Sequence, residues 1–178
     1  MQKKIAFLAL FLLAFVTVAA CQKDKSQRPS PPAQAQCKFS DGKTITVDYS
    51  SPRMKGRKIF GELVPYGEVW RTGANDATTF VTTANLTIGS LSVPAGNYTI
   101  FTVPNQNKWQ LIINKKTGEW GIPYKYEADE LGRTDMKLAQ AGSPVENFTI
   151  AFDSMGSSCG LSMSWENTKA SADVKEAK

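Results

Sequence analysis

Apolar and polar residues alternate along most of the chain from position 37 onward, with interruptions rich in glycine, proline, asparagine and serine. A period of two puts neighbouring side chains on opposite faces of a strand, so the pattern predicts β-strands. The alternating stretches are Cys37–Phe39, Ile45–Tyr49, Leu86–Ile88, Leu91–Val93, Tyr98–Val103, Trp109–Ile113, Phe148–Phe152 and Cys159–Trp165. Short strands at this spacing predict a mainly β protein, a single antiparallel β-sandwich or jelly-roll-like domain.

The predicted domain spans residues 37–166. Trp109 and Trp165 fall on the apolar phase of their strands, so we expect both side chains in the core. The last residues, 167–178, read NTKASADVKEAK and form a polar tail that we expect to fray.

One long stretch, at about 50–78, lacks the period of two. A loop of this length inside a compact domain is uncommon unless it is functional or has its own order. Ile59, Phe60, Leu63 and Val64 have spacings of one, three and four, which predict one or two helical turns. We therefore expect a long structured loop.

The N-terminus has the three-part layout of a secretory signal peptide: two lysines, an apolar run and small residues. Val18-Ala19-Ala20-Cys21 resembles a bacterial lipobox, whose cysteine is acylated after the leader has been cut off. We expect residues 1–20 to be the signal peptide and Cys21 to carry the lipid, palmitate included, that anchors the protein to the membrane. An uncut membrane anchor, or an ordinary signal peptide cleaved near Ala20, is the alternative.

Residues 21–36 comprise this cysteine and a proline-containing stretch without aromatic or large aliphatic residues. Its composition predicts a flexible tether that holds the domain some tens of Å from the bilayer. Gln22, rather than aspartate, follows Cys21, and by resemblance to the sorting rule of diderm bacteria this favours the outer membrane. The expected location is the bacterial cell envelope, as an outer membrane lipoprotein that faces the periplasm or the cell surface.

Two cysteines remain once Cys21 is acylated. Cys37 and Cys159 lie in the first and last predicted strands, on the apolar phase of each. An exported chain folds in an oxidising compartment, and terminal strands are often neighbours in sandwiches, so we expect a Cys37–Cys159 disulfide. Two buried free thiols are the alternative.

Composition removes several classes of function. The chain has no histidine, which excludes the Ser-His-Asp triad, Cys-His pairs and His-ligated zinc or haem. The sequence has no phosphate-binding glycine loop and no metal-ligand cluster, so we expect neither a metal nor a cofactor. The net charge of +5 includes two lysines of the leader, and the remaining excess is too small to indicate a nucleic-acid partner.

The long loop carries a distinctive motif. Its residues are Tyr49-Ser50-Ser51-Pro52-Arg53, Lys55-Gly56-Arg57, Ile59-Phe60-Gly61, Leu63-Val64-Pro65-Tyr66-Gly67 and Val69-Trp70-Arg71-Thr72-Gly73-Ala74-Asn75. Together with Val93-Pro94-Ala95-Gly96, Trp109–Asn114 and Leu131-Gly132-Arg133, this motif resembles the bacterial family "domain of unknown function 2911". The resemblance covers about residues 39–153. The resemblance implies that the protein is secreted, often as a lipoprotein. It implies no particular activity.

Candidate ligand-binding residues concentrate in the same loop. They are Arg53, Arg57, Trp70, Arg71, Thr72 and Asn75. Arginine suits carboxylate or phosphate, and an aromatic side chain suits a sugar ring, so the expected ligand is anionic or sugar-like. Alternatively, Arg53 or Arg71 pairs with a loop carboxylate and fastens the loop. The segment Trp120–Tyr126 is a possible pocket rim.

We conclude that the sequence favours an exported, lipid-anchored envelope protein with a non-catalytic binding or partner surface on the loop, where the partner is a small ligand or another envelope protein. We assign no catalytic residue and leave enzymatic activity open. One alternative is a hydrolase of cell-wall or glycan material that uses Glu62, Glu68 or Asp76. Another is a purely structural envelope protein.

Ser154, in Asp153-Ser154-Met155, resembles an O-glycosylation acceptor of some diderm bacteria.

Overall fold

A computed structural model of the protein describes residues 25–177. The predicted leader and Cys21 lie outside these residues. Within the described part of the chain, no helix is both long and apolar enough to span a bilayer. The same part contains no group of three or more cysteine, aspartate or glutamate side chains that could hold a metal ion.

Nine strands dominate the described chain. They are β1 (Pro32–Lys38), β2 (Thr44–Ser50), β3 (Thr79–Thr82), β4 (Leu86–Ile88), β5 (Leu91–Val93), β6 (Gly96–Val103), β7 (Trp109–Asn114), β8 (Glu130–Ser154) and β9 (Ser158–Glu176). Two short 3₁₀ helices span Lys25–Gln27 and Glu127–Asp129. Every pair of neighbouring strands is antiparallel, so the predicted mainly β, antiparallel fold is confirmed.

The strands form one open sheet in the order β1-β2-β3-β6-β7-β8-β9-β4-β5, which folds over itself like a β-sandwich. The long strand β8 makes this possible. Its first part, 130–136, pairs with β7, and the rest, from 137 onward, pairs with β9 with register shifts between positions 140 and 149. Register irregularities of this kind bend a strand, so β8 belongs to both layers.

The core lies between the layers and is centred on aromatic side chains. Trp109 and Trp165 are both 2% exposed, which confirms their predicted place in the core. Phe60 lies between them, with ring centroids 4.8 Å from Trp109 and 6.2 Å from Trp165. Because Phe60 comes from the connection between β2 and β3, that connection is itself part of the core.

The first and last strands along the chain extend further than the sequence predicted. β1 begins at Pro32 and pairs with β2 along its whole length, so the last part of the predicted tether is a strand. β9 continues to Glu176, where the polar tail was expected to fray. Ala170, Ala172 and Val174 bury their side chains there while the chain pairs with β8 and β4. Small alanine side chains give a weak alternation signal, which explains the difference.

The loop between β2 and β3, residues 51–78 (the β2–β3 loop), is structured as predicted but contains no helix. The predicted helical turns are instead a tight turn, in which the Val64 N–H donates to the Ile59 carbonyl over 2.9 Å. Gly61, at the centre of this turn, has φ of 91°, a conformation that favours glycine and ends a right-handed helix. The apolar spacing therefore reflects burial of Ile59, Phe60 and Val64, and not helical periodicity.

Backbone hydrogen bonds fasten this loop to two strands. Trp70 and Thr102 of β6 exchange both of their N–H to carbonyl bonds, at 2.8 and 2.9 Å. Nearer β2, Met54 N–H donates to the Glu146 carbonyl of β8 over 2.7 Å. The loop therefore bridges the two layers at one end of the sandwich.

The predicted disulfide joins Cys37 of β1 to Cys159 of β9, with the two Cα atoms 6.4 Å apart. The pairing is confirmed, but its expected basis is not. β1 and β9 are far apart in the strand order, so the bond crosses from one layer to the other and does not join neighbouring strands.

Candidate functional site

The six predicted ligand residues do not form one site, because the β2–β3 loop distributes them over four places. Trp70 and Thr72 are buried inside the loop, and Arg71 faces Trp120. Asn75 contacts the segment before β1. Arg53 and Arg57 lie together in a separate basic pocket.

Trp70 and Thr72 serve mainly to hold the loop in place. The Trp70 indole is 8% exposed, donates its N–H to the Gly73 carbonyl over 3.1 Å and stacks on Trp165 at 5.9 Å. Thr72 is fully buried, and its hydroxyl lies 3.1 Å from that of Thr102. A ligand can therefore reach only a small part of Trp70 and not the side chain of Thr72.

Arg71 does not form the ion pair that was one of its two predicted roles. Its guanidinium lies over the Trp120 ring, 4.8 Å from the centroid, and donates to the Trp120 carbonyl over 3.3 Å. Its Nε is buried and has no hydrogen-bond partner within residues 25–177. Partial burial lowers the pKa of Arg71, an effect that the nearby charge of Asp76 opposes. The contact joins the loop to the segment after β7.

Asn75 fixes the path of the chain in front of β1. Its side-chain amide donates to the Ser30 carbonyl over 3.1 Å. Nearby, Arg28 pairs with Asp76 at 3.6 Å, and Ser51 N–H donates to the Pro31 carbonyl over 2.9 Å. The predicted tether is therefore bound to the domain from Arg28 onward and is not free to extend.

Arg53 and Arg57 share a basic pocket of about 370 Å³ with a third cation, Lys55, and with Pro29 and Ser30. The Arg57 guanidinium donates to the carbonyls of Arg53, at 2.6 Å, and of Met54, at 3.0 Å. These bonds orient the side chain without neutralising its charge. Of the six predicted ligand residues, these two share one pocket. Lys55 completes the basic pocket, and it belongs to a stretch with four cations in six residues, Arg53, Lys55, Arg57 and Lys58.

A second pocket is a groove between the β2–β3 loop and the segment that follows β7. Its volume is about 410 Å³. Its lining residues are Leu63, Val64, Pro65, Glu68, Val69, Trp70, Ile122, Pro123, Tyr124 and Glu127. Leu63 and Ile122 are about half exposed, at 45% and 49%, so the groove presents apolar surface to solvent. The predicted pocket rim at 120–126 therefore contributes three residues to a pocket wall.

A close approach at Gly121 positions this wall. Its φ is 85°, and a Cβ atom there would lie 3.0 Å from the Cβ of Ala77 and 3.1 Å from that of Arg71. Only glycine fits between these residues without a shift of the loop. The Trp120–Tyr126 segment is thereby held against the β2–β3 loop, and the groove lies along this contact.

A hydrogen-bonded network supports the groove from below. Tyr124 donates its hydroxyl proton to Glu130 over 2.6 Å and accepts a bond from Asn114 over 3.2 Å. Burial and the bond to Glu130 raise the pKa of Tyr124, so its hydroxyl stays protonated. Although burial opposes the change, bonds from Arg133 and Tyr124 lower the pKa of Glu130. The network fixes the Tyr124 ring as a rigid wall.

The three loop carboxylates of the hydrolase alternative do not converge. Glu62 pairs with Lys58 at 3.6 Å, and Asp76 pairs with Arg28 in a different pocket. Glu68 lines the groove, where its companion is Glu127, which the sequence did not single out. No motif marks Glu127, because only the fold brings the start of the second 3₁₀ helix to this wall. Ser154, the possible glycosylation acceptor, is exposed at the end of β8.

The comparison with protein families supports the resemblance seen in the loop motif. Residues 30–174 match the family described as "Protein of unknown function (DUF2911)". Searches of curated proteins and of solved structures find no match. The family match covers most of the chain, and the chain belongs to this family.

Proposed function

We propose that this DUF2911 member is an exported, lipid-anchored protein of the bacterial cell envelope that binds a small, neutral, sugar-like ligand in its groove, without catalysis. The observation that carries the proposal is the composition of the groove, apolar on most of its wall with two carboxylates among its lining residues. Its volume of about 410 Å³ falls within the usual range of small-ligand sites, roughly 300–1,000 Å³.

The charges of the groove favour a neutral ligand over an anion. Glu68 and Glu127 are exposed, and neither forms an ion pair within residues 25–177. Carboxylates accept hydrogen bonds from sugar hydroxyls and repel anions. The apolar faces of a sugar ring suit walls made by Ile122, Pro123 and Tyr124. Of the two expected ligand classes, the groove therefore fits the sugar-like one.

Binding is tested on the mature polypeptide from position 21 with Cys21→Ser, which deletes only the leader. We expect neutral oligosaccharides of cell-wall composition at saturating concentration to raise the melting temperature by about 5 °C or more, since they stabilise the folded state alone. Glu68→Gln should weaken this shift, whereas Glu62→Gln, another exposed loop carboxylate outside the groove, should not. A larger shift with anionic sugars, or equal effects of both variants, would contradict the proposal.

Lipid anchoring rests on the residues before the described part of the chain. Val18-Ala19-Ala20-Cys21 follows an apolar run, as a lipobox does. In cells, Cys21→Ser should abolish labelling by a radioactive fatty acid and leave either an unprocessed precursor or a soluble form. Unchanged labelling in the variant would show that Cys21 is not the acylated residue.

Hydrolysis of a glycan is a second candidate, because Glu68 and Glu127 line the same groove. Paired carboxylates across a sugar site are the usual equipment of glycoside hydrolases. Catalysis would be favoured if the protein released reducing ends from cell-wall glycans, and if Glu127→Gln abolished this release but kept the thermal shift. Binding without turnover favours the first proposal. Absence of both would leave the loop with a structural role, which its buried Phe60 and Trp70 already fulfil.

A further inference from the structure

We propose that the basic surface formed by Arg53, Lys55 and Arg57 docks onto the anionic phosphate headgroups of the membrane that carries the lipid anchor. This inference rests on the proposed acylation of Cys21. It assigns the basic pocket to a membrane surface and leaves the groove, which shares no residue with it, for the small ligand.

The cations of this surface are not neutralised by the domain. Within residues 25–177, no carboxylate forms an ion pair with Arg53, Lys55 or Arg57. The nearest acidic contact, Glu146, accepts a bond of 2.8 Å from the backbone N–H of Lys55 and leaves its ammonium group exposed. Arg53 donates to the Ser51 hydroxyl over 3.0 Å, a neutral partner. The surface therefore keeps a net positive charge.

The segment that leads to the anchor runs beside these cations. Pro29 and Ser30 line the basic pocket itself, and Ser30 is held by Asn75. Arg28 is bound to Asp76, so the chain is fastened to the domain a few residues after Cys21. Only Gln22, Lys23 and Asp24 separate Cys21 from Lys25, the first described residue.

The short connection limits the distance between the domain and the bilayer. Four residue steps, from Cys21 to Lys25, span at most about 14 Å when fully extended. This short connection allows the domain to rest on the bilayer, where exposed cations within a Debye length of about 8 Å at physiological salt are attracted to the phosphates. The original expectation of a tether of some tens of Å is replaced by a domain held close to the lipid.

The shape of the pocket favours a membrane over a dissolved anion. Lys55 and Arg57 are exposed and Arg53 is half-buried, so the pocket has no enclosed charged group that would bind one small anion tightly. Several exposed cations over a broad area suit an array of phosphates, where many weak attractions act together.

The test measures sedimentation of the mature polypeptide with Cys21→Ser, which lacks the lipid, together with large unilamellar vesicles. We expect binding to vesicles with 30% phosphatidylglycerol at 20 mM salt, weaker binding at 150 mM, and none to pure phosphatidylcholine. The variant Lys55→Glu should bind at least fivefold more weakly, because each basic residue contributes about fivefold. The Lys55 side chain makes no ion pair within residues 25–177, so this variant should keep the fold.

Lys175→Glu is the matched control. Lys175 is exposed and adjoins Glu176, which pairs with Lys43 beside the β1–β2 turn, at the opposite end of β1 from Pro32. It should change vesicle binding less than twofold. The proposal would be overturned if both variants lost vesicle binding equally, or if the protein bound equally well to phosphatidylcholine. It would also be overturned if inorganic phosphate raised the melting temperature without any vesicle binding. Because the sedimented protein lacks the acyl anchor on Cys21, a negative result here does not affect the separate labelling test of Cys21.

Discussion

At the scale of single residues, Arg71 shows how a loop can be held without a charge pair. Its guanidinium contacts the exposed ring and the carbonyl of Trp120, and its Nε lacks a partner within residues 25–177. A cation–π contact at an exposed site contributes about 0.5–1 kcal/mol. Removal of one member of a buried ion pair, by contrast, costs about 3–5 kcal/mol.

We therefore predict that Arg71→Ala lowers the free energy of unfolding by only about 1 kcal/mol. Arg71→Lys, which keeps the positive charge over Trp120, should retain part of that contribution. Urea unfolding of both variants and of the wild type measures the differences. A loss of 3 kcal/mol or more in Arg71→Ala would indicate a buried pair that the structure does not contain.

Glu130 predicts a dependence of stability on acid pH. Its pKa in the folded protein lies below the ordinary value of 4.5, because bonds from Arg133 and Tyr124 outweigh the effect of burial. A lowered pKa stabilises the fold above the ordinary value, and this contribution is lost as the pH falls through the folded value. Glu130→Gln should therefore show a smaller fall in unfolding free energy between pH 6 and pH 3 than the wild type. Identical pH profiles of the wild type and Glu130→Gln in urea unfolding would disprove this prediction. Glu62→Gln is the control variant.

Within the β2–β3 loop, the sequence did not predict the orientation of the side chains. Arg53 and Arg57 are four positions apart in the sequence, and the fold keeps them in one pocket. Trp70 was a candidate for stacking on a ligand, yet its ring lies among Phe60, Phe148 and Trp165. Without a strand or helix period, a loop sequence does not tell which side chains point inward. Glu127 was missed for the same reason.

At the scale of secondary-structure elements, the alternation of apolar residues located the strands but not their ends. Aromatic and branched side chains mark the centre of each strand, as in β7. Towards the ends of β1 and β9 the inward positions are mostly alanines, whose small apolar area is easily mistaken for a polar stretch. The turn at Gly61 was read as helical because burial on one face of an irregular segment can imitate helical spacing.

The extension of β9 leads to a prediction that separates a strand from a fraying tail. Val174 is fully buried and lies opposite Ile88 of β4. Val174→Ala should lower the free energy of unfolding by about 1–3 kcal/mol, the usual cost of removing two buried methyl groups. Lys175→Ala, next to it and exposed, should change stability by less than about 0.5 kcal/mol. Equal and negligible effects would show that this end of the chain is not packed.

At the scale of the whole molecule, the disulfide constrains nearly the entire domain. Cys37 and Cys159 are 122 positions apart, so the closed loop contains most of the strands. The chain-entropy model gives a stabilisation of up to about 4–5 kcal/mol for a loop of this length. We predict that Cys37→Ser/Cys159→Ser lowers the urea midpoint accordingly, whereas Cys21→Ser leaves it unchanged. A loss below about 1 kcal/mol would mean that the layers hold together without the covalent link.

The separation of the two bonded cysteines also sets an order of events in time. A chain that crosses a membrane from its N-terminus delivers Cys37 long before Cys159, so the first thiol waits while most of the chain is still on its way. During that interval the only other cysteine already delivered is Cys21. Acylation of Cys21 would remove this wrong partner before the right one arrives. On the proposed export route, lipid attachment would therefore do more than anchor the protein, because it would leave Cys37 a single possible partner.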